Sequence, residues 1–88
     1  MANHASAKKR IRQTQKRTAR NKAVRSSTRT LVKRVRAAVA EGDAQAAEQH
    51  LAAARQRIDR AVQKGVYHWK TGARYISRLS RQVQALKG

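Results

Sequence analysis

The chain has 88 residues, no Cys and no Pro, and its 22 Lys and Arg stand against 4 Asp and Glu for a formal charge of +18. That size allows one small domain with a modest core and leaves little room for an enclosed active site. The lack of thiols excludes disulfides and thiolate metal sites, and a charge far beyond what solubility needs points to a polyanionic partner, nucleic acid first.

In chain order, residues 1–7 lead into charge rather than an apolar segment, and no uncharged run approaches the length of a membrane span. Secretion and membrane insertion are both disfavoured. Residues 1–36 hold thirteen Lys or Arg, no acid, and no Gly or Pro. A first helix is expected from an N-cap near Ser6 to about Ala40, ended by Glu41-Gly42-Asp43. Its pattern changes near Val24. From there Val24, Leu31, Val32, Val35, Ala38 and Val39 gather on one side, with Arg25, Arg29, Lys33 and Arg36 on the other. Followed backwards, the apolar direction runs into Asn21, Arg20, Arg17 and Arg10, and Ile11 is the one sizeable apolar residue after Met1.

Asp43 is placed to cap a second helix with Ala47, Leu51, Ala54, Ile58 and Ala61 on one face, ending before Gly65. A third helix, about residues 68–86, lines up Trp69, Ala73, Ile76, Leu79, Val83 and Leu86, with Lys70, Arg74, Arg78 and Arg81 opposite. Trp69 is therefore expected in the core, Tyr75 at the edge of the apolar stripe, and Tyr67 in the turn as the aromatic better placed to touch nucleic acid. Three amphipathic helices joined by short turns predict an all-α fold, an antiparallel three-helix bundle with a long, basic, projecting first helix. The expected organisation is a single domain, residues 1–88, with a basic arm at 1–23 and a bundle at 24–88. The second turn should then return beside Arg20 and Arg25, forming a composite basic surface. Glu41, Asp43 and Glu48 should lie at the far end.

Catalysis has little to work with. The four acids sit on or beside the second helix, where Asp43 caps and Asp59 can pair with Arg55. His4, His50 and His68 are too scattered for a metal motif, and the Ser and Thr residues have no base and orienting acid nearby. Neither an enzyme, a cofactor, a metal nor a small-molecule substrate is expected. His50 is read as solvated and His68 as a possible phosphate or base contact. For residues 8–22, a merely solvated charged face is a weak reading, because like charges without acids at i+4 repel. A membrane-surface helix would need an apolar face that this segment lacks.

Several blocks resemble one family. Met1-Ala2-Asn3, Ser6-Ala7-Lys8-Lys9-Arg10-Ile11-Arg12-Gln13, Lys16-Arg17, Arg20-Asn21-Lys22-Ala23 and Arg29-Thr30-Leu31 are similar to bacterial small-subunit ribosomal protein twenty. So are Ile58-Asp59-Arg60-Ala61, Lys64-Gly65, His68, Ala73-Arg74 and Ser77-Arg78-Leu79. The chain departs from that pattern at Trp69-Lys70-Thr71-Gly72 and at Tyr75-Ile76. The resemblance implies a three-helix protein bound directly to small-subunit (16S) ribosomal RNA, beside other components of the small ribosomal subunit, in the cytoplasm. It places RNA contact on Lys8, Lys9, Arg10, Arg12, Lys16, Arg17, Arg20, Asn21, Lys22, Arg25 and Arg29, and further on Lys64, His68, Lys70, Arg74, Arg78 and Arg81. The alternative is a small DNA-compacting, nucleoid-type protein, since phosphate neutralisation alone does not separate duplex DNA from folded RNA.

Overall fold

The computed structural model describes residues 4–87, in three helices: α1 (His4–Glu41), α2 (Ala44–Gln63) and α3 (Trp69–Lys87). Met1-Ala2-Asn3, the opening of the family resemblance, lies outside the described residues. α1 begins two residues before Ser6, which falls within its first turn instead of capping it. The two turns follow from their glycines. Gly42 and Gly65 have φ of +77° and +76°, the left-handed region open to a residue without Cβ. In each turn the following residue reaches back to the helix, Asp43 N–H to the Ala38 carbonyl at 3.0 Å and Val66 N–H to the Ala61 carbonyl at 2.9 Å. Gly42 N–H and Gly65 N–H bond the carbonyls of Val39 and Val62. These are paired C-terminal caps of the Schellman type. Asp43 then caps α2, its Oδ1 accepting from Ala46 N–H at 3.0 Å.

The apolar stripes pack antiparallel. Val32, Val35 and Ala38 of α1, Ala47, Ala54 and Ile58 of α2, and Leu79 and Val83 of α3 form one buried cluster, with Leu31, Leu51, Ile76 and Leu86 half-buried against it. Thr28 joins the buried face at 2 % exposure. Its hydroxyl donates to the Val24 carbonyl at 2.8 Å, so the buried polar group is satisfied. Near the Glu41-Gly42-Asp43 turn, Glu48 and Lys87 form an ion pair between half-open side chains, worth about 0–1 kcal/mol. Asp59 makes no ion pair with Arg55 among the described residues, and His50, expected in solvent, is half-buried.

Helix three corrects the expected core. Trp69 is 63 % exposed and Ala73 is exposed, whereas Gly72 is buried. The cause is a close approach of α3 to α2: a Cβ at Gly72 would stand 2.5 Å from Val62 Cγ2 and 3.3 Å from Ile58 Cγ2. That contact turns Gly72 inward. Ala73 is then rotated about 100° away and Trp69 about 60°, off the packed face.

The molecule measures 65 × 21 × 14 Å. At about 1.5 Å per residue, α1 runs about 57 Å and α2 about 30 Å, so α2 covers roughly half of α1. Residues 5–20 are exposed at every position, Ile11 included, and Asn21 is the first half-buried residue. No helix among the described residues is long and apolar enough to cross a membrane.

Candidate nucleic-acid interface

Along the uncovered part of α1, the cations point in all directions because their spacing follows no single helical face. Lys16, Arg17, Arg20 and Gln13 line one shallow depression. Thr18, Asn21, Lys22, Arg25, Ser26 and Arg29 line a second, of about 600 Å³. Arg17 and Lys22 lie about 140° apart around the axis, so the two depressions open on different sides. With Lys8, Lys9, Arg10 and Arg12 also exposed, this stretch offers positive charge all round and no acid to neutralise it.

At the root of that stretch the chain returns. Arg25 and Arg29 are shared with a third depression, a groove of about 550 Å³ that also takes in Thr28, Val32, Lys33, Arg36, Tyr67 and Tyr75. The rings of Tyr67 and Tyr75 meet edge to face at 5.8 Å between centroids. Burial, and secondarily the neighbouring Tyr75, push the Tyr67 phenol above its ordinary value of 10.0, while Arg25 and Arg29 pull the other way. At neutral pH it therefore remains a hydroxyl that can donate to an anion. The second turn does return beside the root of the arm and brings Tyr67 to Arg25 and Arg29, but the cations of the groove all come from α1, and none of Lys64, His68 or Lys70 lines it. Lys33 and Arg36 belong to it as well, although the sequence marked them only as the outer face of a bundle helix. The signal that could have found them was their i, i+4 and i+7 register with Arg29 and Arg25.

The remaining candidates do not join this groove. Lys64, His68 and Lys70 are exposed around the second turn, and Arg74, Arg78 and Arg81 line the outward side of α3. His68 also has a structural duty. Its Nδ1 accepts from Lys70 N–H at 3.2 Å at the start of α3, which leaves Nε2 as the nitrogen facing outward to donate. Asn21 is held differently from its basic neighbours: its Oδ1 is enclosed and has no hydrogen-bond partner among the described residues. No three His, Asp or Glu gather into a metal-binding group among the described residues. The other acids are on or near α2, and Glu41 and Asp43 mark the opposite end of the bundle from Tyr67.

Fold and surface thus define a class: a small helical bundle carrying a long polycationic helix with an extended basic surface. The chain belongs to the family described as ribosomal protein S20, whose model matches residues 2–84. Its relatives include the small ribosomal subunit protein bS20 of Geotalea daltonii, 56 % identical over 86 residues that cover 98 % of this chain and 99 % of that one. The protein of the same name from Nitratidesulfovibrio vulgaris is 51 % identical over 87 residues, covering 99 % of this chain and all of the relative. That from Maricaulis maris is 51 % identical over 86 residues, with 98 % of each chain covered.

Proposed function

We propose that the chain is a structural, non-catalytic component of the small ribosomal subunit that binds 16S ribosomal RNA directly and holds converging RNA segments together in the cytoplasm. It acts as one domain, residues 1–88. In that domain the bundle, 24–88, anchors a basic arm, 1–23, that lies among phosphates. The observation that carries this reading is the acid-free stretch of α1 from residue 5 to 20, exposed at every position and charged on every side. Such a rod gains nothing from one flat anionic surface that phosphates on several sides would not supply better, and RNA segments converging on it would surround it. The names of its relatives, proteins of the small ribosomal subunit, support the same assignment.

Contact is assigned to Lys8, Lys9, Arg10, Arg12, Lys16, Arg17, Arg20, Asn21, Lys22, Arg25 and Arg29. Lys64, His68, Lys70, Arg74, Arg78 and Arg81 extend the contact along the turn and α3, and Lys33, Arg36 and Tyr67 join through the groove. Sedimentation of the native protein in cell extract tests the proposal. Co-migration with the small ribosomal subunit is expected. Migration with chromosomal DNA instead would support a nucleoid protein and refute it.

A further inference from the structure

Trp69 has no place in the buried core. The inward position of its turn of α3 is taken by Gly72, whose approach to Val62 leaves the indole 63 % exposed. Burying a large apolar ring is favourable, and leaving it in water forgoes that gain, so a partner surface is the natural complement. Its immediate surroundings say which. The His68 ring stacks against it, 5.8 Å between centroids at an interplanar angle of 30°, so the indole already carries one planar partner. The Lys70 ammonium lies over the ring, 5.7 Å from its centroid, in a cation–π contact. A mostly exposed indole that already accepts a planar ring and a cation, on a chain of charge +18, matches a nucleotide: a base to stack and a phosphate to neutralise. An apolar protein surface would match the ring but would strand the cations around it.

We propose that Trp69 is a stacking platform for one unpaired RNA base, with Lys70 meeting that nucleotide's phosphate. The site rests on the RNA-binding reading above and adds to it a preference that phosphate contacts alone do not have. Bases within a duplex are stacked on one another and do not offer a face. Trp69 therefore selects single-stranded or bulged RNA at the turn end of the bundle, while the arm accepts any close array of phosphates.

Because the chain holds one Trp, its fluorescence reports this position alone. The full chain is titrated with an oligoadenylate and, separately, with a blunt RNA duplex presenting as many phosphates, for the unaltered protein and for Trp69→Ala and Trp69→Phe. Oligoadenylate should quench the emission strongly and the duplex should not. Trp69→Ala should weaken oligoadenylate binding about tenfold and Trp69→Phe much less, with duplex affinity unchanged. Unmoved emission while both RNAs bind, or equal losses on both RNAs in Trp69→Ala, would overturn the stacking site and leave the phosphate-binding reading standing. Failure of both RNAs to bind would overturn both readings, and failure of oligoadenylate alone would overturn only the stacking site. The fluorescence arm uses the unaltered protein, so it decides the matter even if a variant folds poorly.

Discussion

At Gly72, one missing methyl group decides which side of α3 faces the core. Adding it places a Cβ 2.5 Å from Val62 Cγ2, and overpacking of this kind costs about 1–3 kcal/mol, against about 1 kcal/mol gained by replacing a helical Gly with Ala. Gly72→Ala should therefore destabilise the bundle by about 1 kcal/mol in denaturant unfolding. In a Val62→Ala background the same substitution should become neutral or stabilising; a loss of equal size in both backgrounds would mean that Val62 is not the obstacle. The same position shows where a hydropathy wheel goes astray. It places Trp69 and Ala73 with Ile76 and Leu79 because they are apolar, and it gives Gly72 no weight. Close approach between helices selects for the smallest residue, so the packed register follows Gly72 and passes both by. Thr28 is the converse case: a polar residue by composition, buried because its hydroxyl is satisfied by the Val24 carbonyl. At Tyr67 the raised phenol value means that the folded state holds its proton to higher pH than the unfolded chain. Its contribution is fully present below the ordinary value of 10.0 and is lost as pH rises through the folded one. The stability difference between the unaltered protein and Tyr67→Phe should therefore be constant at neutral pH and shift against the tyrosine above pH 10.0, as followed by thermal unfolding.

α1 is two helices in energetic terms. From Val24 on it is held by burial of Thr28, Val32, Val35 and Ala38, whereas residues 5–20 pack against nothing. In that stretch the helix rests on backbone bonds alone, opposed by like charges at i+3 and i+4. Amide hydrogens of residues 8–22 should exchange orders of magnitude faster than those of 47–61 in the free protein, and slow markedly once RNA phosphates neutralise the repulsion. Equal protection of both segments without RNA would show a rigid, self-sufficient rod. This division was legible in the sequence because it depends only on which residues occupy the apolar direction, and that direction changes composition at Val24. The helix ends were legible for a similar reason. Among the described residues Gly42 and Gly65 are the ones with positive φ, each at the end of a helix, and Asp43 follows the first of them as a cap.

Across the whole molecule the charge is polarised, with Glu41 and Asp43 at one end of the bundle and the acid-free N-terminal stretch of α1 leaving the other. Position along that axis should govern binding more than net charge does. Arg17→Glu with Arg20→Glu should weaken RNA binding far more than Arg55→Glu with Arg57→Glu, although both pairs change the net charge equally. Filter binding with the two double variants compares them directly, and equal losses would mean that the interface is misplaced. The antiparallel topology followed from helix lengths and short turns, and with it the meeting of the second turn and Arg25. The groove itself did not. Tyr67 and Tyr75 join Arg29, Lys33 and Arg36 in one surface only when the second turn and α3 are packed against α1, a tertiary juxtaposition that the pattern within each helix does not contain. The central claim is that this surface works by neutralising phosphates, and the salt dependence of binding tests it most directly. Titrating the full chain onto 16S ribosomal RNA over a salt series should give a steep, linear fall of log affinity with log salt, as expected when on the order of ten phosphates release counterions. A nearly flat dependence would contradict the account.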